Sequence, residues 1–219
     1  MLDLDNTLYS QSCGLWDAIG RRIDLYMMER LGIHPDGVSA QRDRYMNEFG
    51  TTLNALRHYY GVDPDDFLAF VHDLPLANFL AREPDLDAML GRLPLSKVIF
   101  TNADALHARR VLARLGIAHH FQRIIDIRTL EFVNKPDRRA FVRALHLVGA
   151  EAGECIFVDD CSANLIAARK IGMTTVLVCD GNAGDGDCAD YHIRAICELE
   201  AVVKALLQKT PRIPRISQI

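Results

Sequence analysis

The sequence predicts an α/β fold in which helices cover both faces of a parallel β-sheet. From about Leu95 onward, short apolar runs typical of buried strands alternate with helical patterns, and this alternation favours a parallel sheet. Before that point, from about Asp17 to Phe79, the pattern is helical and contains no convincing strand. We therefore expect one chain with a sheet-forming region and a separate helical region.

The helical region is predicted to hold several helices. The first follows from apolar residues at helical spacing, with Gly32 as its expected end: Leu15, Ile19, Ile23, Met27 and Leu31. Further helical stretches are predicted near Ala40–Tyr60 and Pro64–Leu74. A proline followed by two aspartates, as at residues 64–66, is typical of a helix start.

The later region is predicted to alternate strands with helices. The strands are expected at Lys97–Thr101, Arg123–Ile127, Cys155–Val158 and Thr174–Val178. The helices between them, each ended by a glycine, are expected at Ala105–Leu115, Arg138–Val148 and Asn164–Ile171. The second helix has one apolar face, formed by Ala140, Phe141, Ala144, Leu145 and Val148.

Composition is that of a globular protein. Hydrophobic residues make up 49% of the 219 residues, charged residues 25%, and the net charge of −4 favours no nucleic acid polymer as a partner. No apolar run approaches the roughly 20 residues that span a membrane, and the two early carboxylates are atypical of a secretory signal. The six cysteines contain no C-x-x-C pair. We expect a cytoplasmic protein with reduced cysteines.

Ligands of open parallel sheets bind beyond the carboxyl ends of the strands, so the residues that follow each apolar run are candidates for chemistry. Four segments supply such residues: Asp3-Leu4-Asp5-Asn6-Thr7, Thr101-Asn102, Lys135, and Asp159-Asp160 with Asn164. Clustered carboxylates repel one another unless a cation lies among them, and their hard oxygens suit Mg²⁺. A bound phosphate would then need donors such as Lys135, Thr101 and backbone N–H groups.

These carboxylates could also react. A carboxylate beside a bound phosphate can attack phosphorus to give an acyl phosphate. A second carboxyl two residues on, as Asp5 follows Asp3, can protonate the leaving oxygen and later activate water.

The motifs resemble those of the haloacid dehalogenase superfamily. The D-x-D-x-T pattern at Asp3–Thr7, Thr101-Asn102, Lys135-Pro136, and Asp159-Asp160 with Asn164 occur in the order of its four motifs over nearly the whole chain. Longer strings resemble the pyrimidine 5'-nucleotidase branch: Asp3–Tyr9, Phe100-Thr101-Asn102-Ala103 and Val158-Asp159-Asp160.

The resemblance implies a magnesium site. Asp3 would be the nucleophile and a Mg²⁺ ligand, and the backbone carbonyl of Asp5 would also coordinate the metal. Asp160 would be the third protein carboxylate at the metal, with Asp159 close to it. Asn164 would order this acidic loop.

The resemblance also implies the phosphate-binding groups. Thr101 and the backbone of Asn102 would hold the phosphoryl group, and Lys135 would neutralise it and the nucleophile. Asp5 would be the general acid and base, with Thr7 as a supporting residue. Family members that cleave carbon–halogen bonds lack an acid at the place of Asp5, so its presence favours phosphoryl transfer.

The fold implied by the resemblance is a doubly wound (Rossmann-like) parallel sheet of about five strands with a helical cap inserted after the first strand. The expected boundaries are residues 1–14 and 81–208 for the catalytic core and 15–80 for the cap. Residues 209–219 are expected to form a mobile tail. Only Met1 and Leu2 precede Asp3, where the family has a longer apolar strand, so we expect the natural chain to begin upstream.

The implied function is a Mg²⁺-dependent phosphomonoester hydrolase of small phosphorylated metabolites, with a pyrimidine nucleoside 5'-monophosphate as the first expected substrate. A phosphosugar phosphatase or phosphomutase on the same scaffold, and a phosphate-binding regulatory protein, remain as alternatives. Three histidines outside the motifs are expected to be structural: His107 on a helix face, and His119-His120 on the surface of a turn.

Overall fold

The structure is a computed structural model that describes residues 1–179 and 187–209. The described chain divides into two compact units, one formed by residues 1–10 with those from Leu80 onward, and the other by Gln11–Phe79. The predicted tail lies outside the described residues from residue 210 on. None of the described helices is long and apolar enough to cross a membrane.

The unit Gln11–Phe79 is helical. Its helices are α1 (Leu15–Leu31), α2 (Val38–Phe49), α3 (Thr52–Tyr60) and α4 (Pro64–Val71). The single helical stretch predicted at Ala40–Tyr60 is wrong, because two separate helices, α2 and α3, cover these residues. Helix α2 ends at Gly50, whose φ of 75° is a left-handed backbone conformation that is unfavourable for residues with a side chain. Helix α3 begins after Thr51, whose side chain accepts a hydrogen bond from the Asn54 N–H at 3.2 Å.

The other unit carries the sheet. Its elements are α5 (Pro84–Arg92), β1 (Val98–Phe100), α6 (Ala105–Leu115), β2 (Arg123–Ile125), α7 (Arg138–Val148), β3 (Ile156–Asp159), α8 (Ser162–Lys170), β4 (Thr174–Val178), β5 (Tyr191–Ile193) and α9 (Leu199–Lys209). Strand β1 pairs with β2, and β3, β4 and β5 pair in that order, all in parallel. The predicted α/β class is confirmed.

The amino-terminal residues join the two halves of the sheet. Leu2 forms parallel bridges to Ile99 of β1 and Val158 of β3, which places it between these strands. The backbone N–H of Leu2 donates to the Val98 carbonyl at 2.9 Å, and that of Asp3 to the Val158 carbonyl at 2.8 Å. The strand order is thus β2-β1-Leu2-β3-β4-β5, in which the chain reverses direction across the sheet at Leu2.

The core beneath this junction is aromatic. Phe100 of β1, Phe141 of α7 and Phe157 of β3 are fully buried, and Phe141 meets each of the other two rings edge-on at a centroid distance of 5.3 Å. This packed core supports the carboxyl ends of β1, of β3 and of the segment around Leu2, and so it fixes the backbone from which their side chains project.

Candidate active site

Lys135 lies at the centre of the candidate site. Its ammonium Nζ donates to Asp3 Oδ1 and to Asp159 Oδ2, both at 2.7 Å, and its side chain is 1% exposed. The same nitrogen lies 5.1 Å from the ring centroid of Phe100 and 5.2 Å from that of Phe157. A buried ammonium with two carboxylates and two aromatic faces is held in one place by direct contacts.

The backbone of Lys135 is fixed as firmly as its side chain. Asn102 Nδ2 donates to the Lys135 carbonyl at 3.0 Å, and the Lys135 N–H donates to Asn102 Oδ1 at 2.9 Å. Asn134 Nδ2 donates to the same carbonyl at 2.7 Å. Asn102, in the segment after β1, therefore positions Lys135 before α7. The amide side chain of Asn102 thus joins two of the predicted motifs.

Three carboxylates converge on one side of this lysine. Asp3, Asp159 and Asp160 each offer an oxygen, and these oxygens lie within 4.8 Å of one another. When all three carboxylates are ionised, they and the ammonium of Lys135 carry a net charge of −2, which one divalent cation would balance. A set of hard carboxylate oxygens fits Mg²⁺ in its donor chemistry.

The pKa shifts in this cluster show the burial and the mutual repulsion of the carboxylates that a bound cation would offset. Burial raises the pKa of Asp3 well above its usual value; Lys135 opposes this shift, and Asp159 and Asp160 add to it. Burial and the charge of Asp159 raise the pKa of Asp160 to about 6. Burial lowers the pKa of Lys135, but the attraction of Asp159 and Asp3 outweighs it, so the pKa is raised and the lysine stays charged.

The acidic loop after β3 is ordered by short contacts. Asn164 Nδ2 donates to Asp159 Oδ1 at 3.0 Å and to Oδ2 at 3.1 Å, and the Cys161 N–H donates to Asp159 Oδ1 at 2.8 Å. Thr7 Oγ1 donates to Asp160 Oδ1 at 3.4 Å. These contacts fix Asp159 while they leave Asp160 partly exposed at the edge of the cluster.

Asp5 has a separate environment. Its Oδ1 lies 2.9 Å from His107 Nε2 and accepts from the hydroxyl of Tyr9. His107 is 1% exposed and lies in the first turn of α6, where Asp104 caps the helix. The Asp5 carboxyl is thus held by two side chains that are not among the predicted site residues.

From the sequence, His107 is expected only on a helix face, and no role is expected for Tyr9. The sequence contains a signal for His107, because α6 begins directly after the carboxyl end of β1 and its first turn therefore lies at the carboxyl edge of the sheet.

Thr101 and Asn102 follow β1 at the same edge. Thr101 is buried, and its hydroxyl oxygen accepts from the Ala103 N–H at 3.0 Å, which leaves its own hydrogen to donate. Neither residue caps α6, because that position belongs to Asp104. The structure therefore brings residues of all four predicted segments to one edge of the sheet.

Comparisons with known proteins agree with this architecture. The model of the haloacid dehalogenase-like hydrolase family matches residues 1–172. The chain is 28% identical to Phosphate metabolism protein 8 of Saccharomyces cerevisiae over 193 residues, which cover 80% of this chain and 59% of the yeast protein.

Two further similarities extend over almost the whole chain. It is 28% identical to Glyceraldehyde 3-phosphate phosphatase of Methanopyrus kandleri, with 94% of this chain and 97% of that protein covered. The crystal structure of a HAD phosphatase from Thermococcus onnurineus has a TM-score of 0.61 at 22% identity, over 92% of this chain and 95% of that one, a likeness that concerns the fold.

Proposed function

This chain belongs to the haloacid dehalogenase-like hydrolase family, and from that premise we propose that it is a magnesium-dependent phosphomonoester hydrolase with Asp3 as nucleophile. The family predicted from the motifs is confirmed. The observation that carries the proposal is the pairing of Lys135 with Asp3 at 2.7 Å beside two further carboxylates. A second carboxyl, Asp5, follows two residues later and is held by His107.

The first half of the proposed reaction uses both aspartates of the first motif. A carboxylate oxygen of Asp3 attacks phosphorus, and the bond between phosphorus and the ester oxygen breaks. The leaving oxygen takes a proton from the Asp5 carboxyl, which leaves Asp5 ionised and Asp3 as an aspartyl phosphate. Lys135 offsets the negative charge of the phosphoryl oxygens, and Thr101 donates a hydrogen bond to one of them.

The second half returns the enzyme to its starting state. Asp5, now ionised, takes a proton from water as the water oxygen attacks phosphorus. The bond between Asp3 and phosphorus breaks, inorganic phosphate leaves, and both aspartates are restored. His107 and Tyr9 hold the Asp5 carboxyl through both transfers, since each contacts the same oxygen.

The metal is proposed at Asp3 and Asp160, with Asp159 beside them and the Asp5 carbonyl as a further ligand. When bound, Mg²⁺ supplies positive charge that draws the phosphate to the site and offsets the repulsion among the carboxylates. Lys135 and Asn164 both donate to the Asp159 carboxylate, so the cluster keeps its arrangement as substrates enter and leave.

For the substrate we propose a small phosphorylated metabolite, with a pyrimidine nucleoside 5'-monophosphate first. The longer strings around Asp3–Tyr9 and Val158-Asp159-Asp160 support this choice, because they resemble the pyrimidine 5'-nucleotidase branch. A phosphosugar phosphatase is the second candidate, since the archaeal relative named for glyceraldehyde 3-phosphate matches over 97% of its length. A phosphate-binding protein without turnover is disfavoured, because the chain contains the proposed nucleophile Asp3, the proposed acid and base Asp5, and Lys135.

The test is phosphate release from a panel that contains UMP, CMP, dTMP, AMP, hexose phosphates and glyceraldehyde 3-phosphate. We expect release that requires Mg²⁺ and is lost in Asp3→Asn, whereas Asp36→Asn, at an exposed aspartate, retains it. The best substrate decides between nucleotide and sugar phosphates. A hexose phosphate that is isomerised instead of hydrolysed would indicate a mutase.

Asp5 can be tested separately with p-nitrophenyl phosphate, whose leaving group needs no proton. Asp5→Asn should release nitrophenolate in a burst equal to the enzyme and then stall, because the aspartyl phosphate forms but is not hydrolysed. Full turnover in Asp3→Asn, or equal rates with and without Mg²⁺, would overturn the proposal.

A further inference from the structure

A second group of side chains that offer metal-ligand atoms is formed by residues outside the candidate active site. Asp87 Oδ1 is 2.7 Å from His120 Nε2 and 3.2 Å from His119 Nε2. The two imidazole rings have a centroid distance of 4.0 Å, and the three ligand atoms lie within 4.8 Å of one another. The chain thus brings two nitrogens and a carboxylate oxygen together from positions more than thirty residues apart.

The position of this cluster separates it from the proposed chemistry. Asp87 belongs to α5, which precedes β1, and the two histidines end the 3₁₀ turn Ala118–His120, which precedes β2. In these parallel strands, residues before the strands lie toward the amino-terminal edge, whereas Asp3, Thr101 and Asp159 lie at the carboxyl edge. No step proposed above uses Asp87 or either histidine.

The donor atoms differ in kind from those of the acidic cluster. Two imidazole nitrogens with one carboxylate suit zinc and its neighbours among the divalent transition metals, whereas Mg²⁺ prefers oxygen ligands alone. Three protein ligands also leave a fourth tetrahedral position for water.

The geometry is close to what such an ion needs. Ligand atoms at the usual distances from tetrahedral zinc lie about 3.3 Å from one another. The distance from Asp87 Oδ1 to His119 Nε2, 3.2 Å, already meets this value. The distance from Asp87 Oδ1 to His120 Nε2, 2.7 Å, must increase by about 0.6 Å. The Asp87 side chain is 27% exposed, so its carboxylate can move away from His120, and the 63% exposed His119 side chain can follow it.

We propose that Asp87, His119 and His120 bind a zinc-type divalent transition metal ion. The ion links α5 to the turn that leads into β2, two segments that the contacts of Asp87 with His119 and His120 already bring together. Because the folded arrangement creates the site, binding stabilises the sheet-bearing unit.

The experiment uses the full chain, stripped of metal by a chelator and held in excess Mg²⁺ so that the carboxylate cluster is supplied with its own ion. Co²⁺ is the spectroscopic probe, because nitrogen ligation and low coordination number give intense visible absorption. The Zn²⁺ dissociation constant is then measured by competition with a chromogenic chelator. The variants are His119→Ala and Asp87→Asn, and the matched control is His34→Ala, whose histidine has one nearby carboxylate, Asp36 at 3.5 Å.

We expect one Co²⁺ with visible absorption per chain, and Zn²⁺ binding at least about 100-fold weaker in His119→Ala and Asp87→Asn, since the loss of even a residue that only orients a ligand costs ~10–100-fold. Zn²⁺ should raise the thermal midpoint of the wild type and of His34→Ala but not of His119→Ala. The signal should persist in Asp3→Asn, whose phosphatase activity is expected to be lost, so the two proposals can fail separately. Zn²⁺ affinity in His119→Ala within twofold of wild type would overturn the site and leave a hydrogen-bonded Asp–His pair.

Discussion

Replacement of Lys135 by methionine tests the electrostatics of the candidate active site. Methionine keeps a long apolar side chain against Phe100 and Phe157, but it removes the ammonium that donates to Asp3 and Asp159 at 2.7 Å. Packing is therefore nearly preserved, and the change in stability reports the lost charge.

The expected cost follows from the buried carboxylates that remain. Removal of one partner from a buried ion pair typically costs about 3–5 kcal/mol, because the other charge stays buried without compensation. Here two carboxylates lose the same partner, so we expect a loss of at least about 4 kcal/mol in the free energy of unfolding. Mg²⁺ should restore part of this loss, and it should stabilise the variant more than the wild type.

The pH dependence has a definite sign. Burial and the neighbouring Asp159 and Asp160 raise the pKa of Asp3 in the folded protein, and removal of Lys135 takes away the charge that opposes the shift. A carboxyl with a raised folded-state pKa binds more protons folded than unfolded, so stability falls as pH rises from its unfolded value of 3.8 toward the folded one. The deficit of Lys135→Met should therefore be smaller at about pH 5 than at about pH 8.

The assay is urea unfolding at both pH values, with and without Mg²⁺. The control is Lys97→Met, because the ammonium of Lys97 donates to the carbonyls of Leu93 and Leu95 at 3.0 and 2.9 Å. We expect that control to cost about 1–2 kcal/mol and to respond neither to Mg²⁺ nor to pH in this range. A Lys135→Met loss no larger than that of the control, or one independent of pH and Mg²⁺, would refute the reasoning.

Three smaller changes test the groups around the two carboxylates. His107→Ala should lower kcat about 10–100-fold with little change in KM, because the carboxyl of Asp5, the proposed acid and base, loses its position; activity within twofold of wild type would contradict this. Tyr9→Phe removes the second contact of the same carboxyl and should cost about fivefold in kcat, and an effect larger than that of His107→Ala would reverse the assigned order. Asn164→Ala should destabilise the fold by about 1.5–3 kcal/mol in urea unfolding, because both oxygens of Asp159 lose a donor; a neutral result would mean that water replaces the amide.

Local signals predicted much of the sheet-bearing unit. The bounds of α6 and α7 agree with the prediction because each helix ends at a glycine in the left-handed conformation, Gly116 with φ 81° and Gly149 with φ 65°. Strand β4 was also predicted within its observed bounds, as a continuous apolar run of a buried parallel strand. The four candidate segments could be placed at one edge because parallel strands present their carboxyl ends together.

The features that sequence analysis missed depend on distant partners or on weak local patterns. Strand β5 contains only Tyr191, His192 and Ile193, and one of the three is buried, so it lacks an apolar run. The environment of Asp5 depends on His107, 102 residues away, and periodicity along one helix cannot show that contact. The pairing of His119 and His120 with Asp87 was missed for the same reason.

The two aspartates of the first motif, Asp3 and Asp5, have different neighbours. We therefore expect changes around each of them to affect different properties of the protein. Asp3 shares buried charge with Lys135 and Asp159, so stability, Mg²⁺ affinity and turnover should change together when that network is altered. Asp5 is outside the set of three carboxylates that converge, and it is held by neighbours of its own, His107 among them. Changes around Asp5 should therefore alter turnover while Mg²⁺ affinity stays near that of the wild type. In the proposed cycle, the Asp5 carboxyl can therefore change its protonation state while Lys135 keeps its contacts with Asp3 and Asp159.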